Sequence, residues 1–332
     1  MGEFDLIARH FTRPARRAAL GVGDDCALLA PAPGMQLAIS SDMLVEGRHF
    51  FAGTDPEALG HKALAVNLSD LAACGARPLA FTLALALPQA DDAWLAAFAR
   101  GLLTLAGQHG CELIGGDTTA GPLNICITVF GEVPPGDALR RSGARPGDDL
   151  WVSGSPGQAR LVLGALRGEW ALPDAALAAL RPRLERPTPR VALGLALRGL
   201  ATSAIDISDG LLGDLQHVLD QSRSGATVYA DETIQLIAAS AYGESATGIF
   251  DAQFFTAISH ETLQQCALAG GDDYEILFTA APAQRSAIEA ARQRTATRVT
   301  RIGRITSAPG PRVIDAHGSG LVTRFASFDH FA

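Results

Sequence analysis

The spacing of hydrophobic and polar positions predicts alternating strands and helices along the first part of the chain. An apolar run at 37–43, between a Pro-Gly turn and a polar loop, predicts a buried strand. Apolar residues recur at helical spacing over 57–74, and Gly75 and Pro78 then stop the predicted helix. The same reasoning predicts helices at 1–12 and 92–109 and strands at 81–87, 111–114 and 123–133.

Turn-forming residues concentrate between 134 and 149, where two segments rich in Pro and Gly surround charged residues. Since 332 residues exceed the roughly 100–200 of a usual domain, we expect a boundary there, with domains at 1–137 and 148–332. Beyond it, strands alternate with helices, which indicates layered α/β structure. The predicted strands lie at 151–152, 204–207, 227–230, 274–279 and 297–305, and the helices at 158–168, 174–184, 190–200, 210–221 and 282–294.

Composition narrows the classes of protein to which the chain can belong. It is 48% hydrophobic and 19% charged, and no apolar run approaches the ~20 uncharged residues of a membrane-spanning helix. The net charge of −8 disfavours nucleic-acid binding, which depends on basic surfaces that displace counterions from phosphates. Lys62 is the only lysine, and there is no GxxxxGK[ST] motif, so a P-loop kinase is excluded.

The amino terminus and the cysteines favour a cytoplasmic location. Residues 1–5 have neither the basic nor the apolar segment of a secretory signal. The cysteines at 26, 74, 111, 126 and 266 include no CxxC pair and have apolar or small neighbours, which predicts buried, reduced thiols.

Short acidic segments recur at the ends of predicted elements, mostly after apolar strands. Aspartates beside glycines are rigid oxygen donors, and several of them at one place would repel each other unless hard cations such as Mg²⁺ lay between them. Such an arrangement can hold a polyphosphate. The segments are Gly23-Asp24-Asp25, Ser40-Ser41-Asp42, Asn67-Leu68-Ser69-Asp70, Gly116-Asp117-Thr118 and Asp206-Ile207-Ser208-Asp209-Gly210.

Some of these segments also have simpler interpretations. Gly-Asp-Asp occurs at 23–25, 147–149 and 271–273, and the copy at 147–149 fits an ordinary β-turn. Asp209 could cap the helix predicted to start at Gly210. Asp70 is harder to explain in this way, because it lies within an apolar helix, where burial of an unpaired carboxylate is costly.

The order and wording of these segments resemble the bacterial thiamine-monophosphate kinase family nearly end to end. The wider superfamily includes aminoimidazole ribonucleotide synthetase, and it implies an amino-terminal ATP-binding domain with a mixed sheet, a carboxy-terminal α/β domain and a homodimer. The resemblance rests on 19–27 (ALGVGDDCA), 40–42 (SSD), 62–73 (KALAVNLSDLAA), 113–119 (LIGGDTT), 204–210 (AIDISDG), 270–275 (GGDDYE) and 328–331 (FDHF).

The resemblance implies a role for each matching site residue. Asp42, Asp70 and Asp209 would serve catalysis. The implied metal contacts are Asp25, Ser41, Asp42, Asp70, Asp117, Asp206 and Asp209. The implied ATP contacts are Gly116, Asp117, Arg141 and Ser208. The implied thiamine-phosphate contacts are His49, Asp272 and Phe328, the family often having Glu in place of Asp272 and Tyr or Trp in place of Phe328.

These roles imply Mg²⁺-dependent transfer of the γ-phosphoryl group of ATP to thiamine monophosphate. The acceptor phosphate, with a second pKa of about 6, already carries a nucleophilic oxygen at neutral pH, so no strong general base is needed. Two alternatives remain at this point. One is a related ATP-dependent synthetase that activates an amide or carbonyl oxygen, and the other is a non-catalytic sensor of thiamine phosphate or nucleotide.

Overall fold

The structure, a computed structural model, describes residues 3–238 and 258–321 and contains two compact units, Met1–Ala138 and Leu139–Ala332. In the described part of the chain, no helix is both long and apolar enough to cross a membrane.

The amino-terminal unit is a four-stranded mixed sheet with two long helices. The strand order is β1-β4-β2-β3, in which β2 and β3 are parallel and the other neighbours are antiparallel. The elements are α1 (Glu3–Leu6), a π-helical turn (Ile7–Phe11), β1 (Gln36–Val45), α2 (Pro56–Ala73), β2 (Arg77–Leu87), α3 (Asp92–His109), β3 (Glu112–Ala120) and β4 (Asn124–Val133).

Helix α2 is buried on nearly all sides between the sheet and α3. Its apolar residues do not form a single stripe, as expected for a helix enclosed by protein. The two helices approach closely at Gly60 and Gly101. A Cβ atom added to Gly60 would lie 2.1 Å from the carbonyl oxygen of Phe98, and one added to Gly101 would lie 1.9 Å from that of Glu57.

Strand β1 confirms the predicted strand, but the prediction that it is buried is wrong within this chain. Side chains of a strand alternate between its faces, and the face with Ser40 and Asp42 contacts α2. On the other face, Leu37, Ile39 and Met43 are 42%, 60% and 52% exposed. An apolar run cannot indicate whether one or both faces of an edge strand are covered.

The carboxy-terminal unit has a six-stranded mixed sheet of order β10-β7-β9-β5-β8-β6. Only the β7–β10 pair among these neighbours is parallel. The strands are β5 (Asp149–Ser153), β6 (Ser203–Asp206), β7 (Gly225–Tyr229), β8 (Ile276–Ala280), β9 (Val299–Thr306) and β10 (Gly310–Ile314). The helices are α4 (Gln158–Leu166), α5 (Asp174–Glu185), α6 (Val191–Leu197), α7 (Leu211–Ser222), α8 (Ala230–Ala238), α9 (His260–Ala269) and α10 (Arg285–Arg294), with a 3₁₀ turn at Pro282–Gln284.

The mixed α/β fold predicted from the sequence is confirmed. Helices α8 and α9 and strand β10 were not predicted. Gly147 and Asp148 of the Gly-Asp-Asp copy at 147–149 lie in a turn, as the simpler interpretation predicted, because Asp148 N–H donates to the carbonyl oxygen of Arg145 at 2.9 Å, and Asp149 then begins β5. The prediction of buried thiols holds for Cys111 and Cys266 but is wrong for Cys26, which is exposed.

Candidate active site

A glycine lets two strands meet beside the first group of candidate residues. Gly116 lies within β3 opposite Leu83 of β2, just after the pairing skips a residue between Phe81 and Thr82. Its φ is +143°, and an added Cβ atom would lie 1.8 Å from the carbonyl oxygen of Leu83. Only glycine fits this close approach. The expected strand at 111–114 therefore continues through the Gly-Gly-Asp-Thr segment.

This segment forms one wall of a cavity of about 520 Å³ in the amino-terminal unit. The turn that carries Asp24 and Asp25 also lines the cavity, and in it Asp25 N–H donates to Asp24 Oδ1 at 2.9 Å. The structure thus brings together Asp25, Gly116 and Asp117, three residues predicted to contact metal or nucleotide. The complete lining is Ile7, Phe11, Val22, Gly23, Asp24, Asp25, Ala27, Thr82, Leu83, Leu113, Ile114, Gly115, Gly116, Asp117 and Thr118.

Asp42 and Asp70 lie where β1 contacts α2. Ser40 Oγ donates to Asp70 Oδ2 at 2.5 Å, and the backbone N–H of Asp42 donates to Asn67 Oδ1 at 3.1 Å. Asp70 lies in the last turn of α2 rather than in its middle. A carboxylate near a helix carboxyl end is unfavourable for the helix dipole, so stability of α2 alone does not explain Asp70.

Ser41 points away from this contact. Its hydroxyl lies 3.0 Å from Thr128 Oγ1 and donates to the carbonyl oxygen of Ile127 at 3.1 Å. Asp42 pairs with the fully buried Ile127, whereas Ser41 pairs with Thr128 on the other face of the sheet. The side chains of Ser41 and Asp42, both predicted as metal contacts, are therefore on opposite faces of β1.

His49 lies in the tight turn that follows β1. Its Nδ1 accepts the backbone N–H of Val45 at 2.9 Å, so any proton on the neutral ring is on Nε2. The turn is closed by Gly47 N–H, which donates to the carbonyl oxygen of Phe50 at 2.8 Å. The structure thus fixes the orientation of a side chain predicted to bind substrate.

In the carboxy-terminal unit, Asp206 ends β6 and is buried, and Ser208, Asp209 and Gly210 form the turn into α7. The carboxylate of Asp214, in the first turn of α7, accepts the backbone N–H groups of all three turn residues at 3.1–3.2 Å. Asp209 therefore does not cap α7. Its side chain is left on the surface of the turn, partly exposed.

Asp214 was not among the residues predicted from the sequence. An acidic residue in the first turn of a helix could have indicated it, because its negative charge interacts favourably with the free N–H groups at the amino end of the helix. Burial and, to a smaller extent, the charge of Asp209 raise the pKa of Asp214 to about 7, against the opposing effect of the three N–H groups. The turn thus combines closely spaced carboxylates with fixed backbone N–H groups.

The loop before β8 packs on this turn. Asp272 N–H donates to the carbonyl oxygen of Ser208 at 2.9 Å, and Tyr274 N–H donates to that of Ile207 at 2.8 Å. Asp272 and Tyr274 have φ values of +67° and +50°, which are unusual for residues other than glycine. The structure therefore brings Asp206, Ser208, Asp209 and Asp272 into two adjoining segments.

Glu275 anchors this loop in the core. It accepts Arg190 Nε–H at 2.6 Å and Nη2–H at 2.5 Å, and Ser153 Oγ at 2.5 Å. Next to it, burial raises the pKa of Asp273 well above its usual range, and the carboxylate accepts Gly157 N–H at 2.8 Å. These buried contacts hold the backbone on which Asp272 is carried.

Arg141 is separated from Ser208 within the same unit. The carbonyl oxygen of Arg141 accepts Ser222 Oγ–H at 3.2 Å at the carboxyl end of α7, whereas Ser208 precedes its amino end. A helix of this length spans about 18 Å. Phe328, predicted to contact the substrate, lies outside the described residues.

The donor sets fit Mg²⁺ that is bound together with a phosphate ligand. Within 3–238 and 258–321, no three His, Cys, Asp or Glu side chains are close enough to hold a metal ion by themselves. However, Mg²⁺ is usually bound by one or two carboxylates, with phosphate oxygens and water at its other positions. Asp25 and Asp117 around one cavity supply oxygen donors of this kind.

Comparison with known proteins defines the class first. Residues 23–133 match the AIR synthase related protein N-terminal domain, and residues 145–316 match the AIR synthase related protein C-terminal domain. Thiamine-monophosphate kinase of Escherichia coli (strain K12) is 42% identical over 335 residues, covering 100% of this chain and 98% of that protein. The chain belongs to the thiamine-monophosphate kinase family.

Solved structures agree with this membership. The crystal structure of thiamine-monophosphate kinase from Stenotrophomonas maltophilia K279a has a TM-score of 0.81 at 43% identity and covers 96% of both chains. AaThiL complexed with AMPPCP and TMP has a TM-score of 0.71 at 27% identity, covering 91% of this chain and 89% of that one.

Proposed function

We propose that this chain transfers the γ-phosphoryl group of ATP to thiamine monophosphate, which produces thiamine diphosphate and ADP. The observation that carries the proposal is the 42% identity to a thiamine-monophosphate kinase over the whole chain. The related AaThiL complex holds AMPPCP, an analogue of ATP, together with TMP, which for a kinase of this family is thiamine monophosphate.

We assign the cavity of the amino-terminal unit to the nucleotide and its metal. Gly116 and Asp117 would contact ATP, and Asp25 and Asp117 would share Mg²⁺ with its phosphate oxygens. The lining supports this assignment, because Asp25, Gly116 and Asp117 border the same cavity. When bound, Mg²⁺ neutralises charge on the transferring group and its leaving group.

Asp42, Asp70 and Asp209 are the proposed catalytic carboxylates, with Asp206 and Ser41 as additional metal contacts. Ser40 and Asn67 would position the carboxylate of Asp70 and the backbone of Asp42 through the two bonds described above.

Substrate recognition is assigned to His49, Asp272 and Phe328, and additional ATP contacts to Ser208 and Arg141. The left-handed backbone of Asp272 supports a role in binding, since strained conformations concentrate at ligand sites. His49 would contact the substrate through its imidazole ring, whose orientation is fixed by the bond from Val45 N–H to Nδ1. Arg141 would donate to phosphate oxygens through its guanidinium group.

Transfer is proposed to be direct. A phosphate oxygen of thiamine monophosphate attacks the γ-phosphorus, the bond to the bridging β–γ oxygen breaks, and ADP leaves with that oxygen. The acceptor is already ionised near neutral pH, so these residues need to align and screen two anions rather than remove a proton.

The apolar outer face of β1, formed by Leu37, Ile39 and Met43, supports a homodimer in which a second copy covers it. We assign domain 1–137 to ATP and metal binding and to dimerisation, and domain 148–332 to completion of the nucleotide and substrate site. None of the five cysteines, all of which lie in the described part of the chain, forms a disulfide bond, which is compatible with a reducing cytoplasm as the site of the reaction.

The test is phosphate transfer from γ-labelled ATP by the purified chain. Labelled thiamine diphosphate should form from thiamine monophosphate, whereas unphosphorylated thiamine should yield no product, since its hydroxyl group needs a base. ADP release only with formylglycinamidine ribonucleotide would instead identify a synthetase. Binding of both ligands without any transfer would identify a sensor.

A further inference from the structure

A second cavity, of about 430 Å³, lies on the outer side of α3 in the amino-terminal unit. We call it the arginine groove. One side is the segment with Arg9, His10 and Arg13, and the other is the surface of α3. The lining residues are Arg9, His10, Arg13, Ala96, Ala99, Arg100, Leu103 and Thr104.

The groove presents cationic groups to solvent. The side chains of Arg9 and Arg100 are 56% and 60% exposed, and each is paired to one carboxylate, that of Asp92 or Glu57, at 2.9 Å. Neither carboxylate residue belongs to the lining. Pairs this exposed contribute little stability, so an arriving anion can compete for them.

Arg13 has the weakest structural role of the three arginines. Its Nη1–H donates to the carbonyl oxygen of the adjacent Thr12 at 2.7 Å, at an exposed position. A guanidinium group carries five N–H donors, which match phosphate and carboxylate oxygens. Arg13 can therefore contact a ligand while the local fold stays the same.

The floor of the groove is apolar. Ala96, Ala99 and Leu103 follow helical spacing along one side of α3, and Arg100 lies beside them. Inorganic phosphate would leave this floor uncovered. An anion that also carries a small apolar or aromatic group would contact both parts of the groove.

The segment Ile7–Phe11 forms a wall of both cavities. Ile7 and Phe11 line the cavity with Asp25 and Asp117, whereas Arg9 and His10 line the arginine groove. His10 is buried, and its Nε2 lies 2.9 Å from Asp92 Oδ1, so the segment is attached to α3 at this point. A ligand held by Arg9 would therefore act on the wall of the other cavity.

We propose that the arginine groove binds a small phosphorylated organic anion and that its occupancy changes the affinity of the adjacent cavity for nucleotide. The phosphate group lies among the guanidinium groups of Arg9, Arg13 and Arg100, and the organic part covers Ala99 and Leu103. The change in nucleotide affinity rests on the proposed function, whereas binding of the anion to the groove does not.

Binding is tested by isothermal titration of phenyl phosphate into the full chain saturated with AMPPCP. Arg13→Gln should weaken binding at least tenfold, whereas Arg77→Gln, an equal loss of charge at an exposed residue outside the groove, should leave it unchanged. Absence of saturable binding, or equal weakening by the two variants, would overturn the site. Equal affinity for inorganic phosphate would overturn the organic class of ligand.

Coupling is tested by measuring AMPPCP affinity with and without saturating phenyl phosphate. A shift of roughly fivefold or more is expected in the wild type and none in Arg13→Gln. A shift that persists in Arg13→Gln would mean direct competition in the nucleotide cavity and would contradict coupling through the groove. A chain that binds phenyl phosphate but no AMPPCP would refute the proposed function and leave the anion site intact.

Discussion

The carboxylate of Asp214 accepts the backbone N–H of Asp209 at 3.2 Å, and the same oxygen accepts the N–H groups of the residues on either side. One buried side chain thus fixes the turn that carries a proposed catalytic carboxylate. Asp214 stabilises the turn, whereas Asp209 is the side chain that the turn presents.

Asp214→Ala should therefore lower both stability and turnover. Loss of the one acceptor shared by three N–H groups should reduce the free energy of unfolding by about 1–3 kcal/mol. Denaturant unfolding measures this change, and Asp220→Ala, at an exposed position of α7, is the control. Equal stability of Asp214→Ala and wild type would contradict the anchoring role.

Asp42→Asn and Asp209→Asn should each lower turnover by about two orders of magnitude and leave the melting temperature unchanged, because each removes a charge while volume is kept. Steady-state assays at saturating Mg²⁺ measure the effect. Asp137→Asn and Asp220→Asn are matched changes at exposed positions. Turnover close to wild type in either test variant would remove that residue from the metal site.

Gly116→Ala should disrupt pairing of β2 with β3 and weaken nucleotide binding. Its positive φ and the contact with the Leu83 carbonyl oxygen should cost about 1–3 kcal/mol or more. Gly121→Ala is the control, because an added Cβ atom there would meet only the Ala86 Cβ atom at an ordinary 3.6 Å. Thermal melts and AMPPCP titrations of both variants separate the two effects.

Asp149 should contribute a pH-dependent part of stability. Hydrogen bonds from Arg285 lower the pKa of Asp149, and Arg301 also lowers it, against the opposing effect of burial. A carboxylate whose pKa is lower in the folded than in the unfolded protein stabilises the fold at pH values above its unfolded-state pKa, which is about 3.9 for Asp. This contribution is lost as the pH falls toward the folded-state pKa.

Asp149→Asn should accordingly be less stable than the wild type near neutral pH, and the difference should narrow as the pH falls below about 4. Denaturation midpoints measured across this pH range test the prediction. A difference that is constant with pH would assign the effect to packing rather than to charge.

Ile39→Asp should convert the proposed dimer to a monomer, because it places a charge on the apolar outer face of β1. Light scattering after size-exclusion chromatography measures the mass. Ala175→Asp, at an exposed position of α5, is the control. A monomeric wild type, or a dimer that persists in Ile39→Asp, would refute this interface.

Local signals explain where the sequence predicted the fold correctly. Helix α3 has the predicted bounds because Asp91 caps its start through the N–H groups of Ala93 and Trp94, and Gly110 ends it with a φ of +58°. Helix α9 was missed because its core contacts come only from Leu263, Cys266, Ala267 and Leu268, a weak apolar pattern that is buried by tertiary packing.

The candidate site was predictable as a set of residues but not as an arrangement. The predicted strand already places Ser41 and Asp42 on opposite faces, but the sequence does not reveal which of the two faces α2 covers. The anchoring role of Asp214 depends on three backbone groups that converge only after the turn has folded. Arg141 contacts the carboxyl end of α7, whereas Asp272 contacts the turn before its amino end, and the sequence alone does not reveal these positions.

The close contact of α2 and α3 through Gly60 and Gly101 has a consequence for protein engineering. Neither position can be enlarged unless the helices separate, so variants at the two positions should behave non-additively: once one has forced the helices apart, the second should add little further cost. Random libraries of this enzyme should therefore tolerate almost no change at either glycine alone. Attempts to stabilise the helices by replacing glycine with alanine should spare these two positions and target Gly107, where an added Cβ atom would meet nothing within 4 Å.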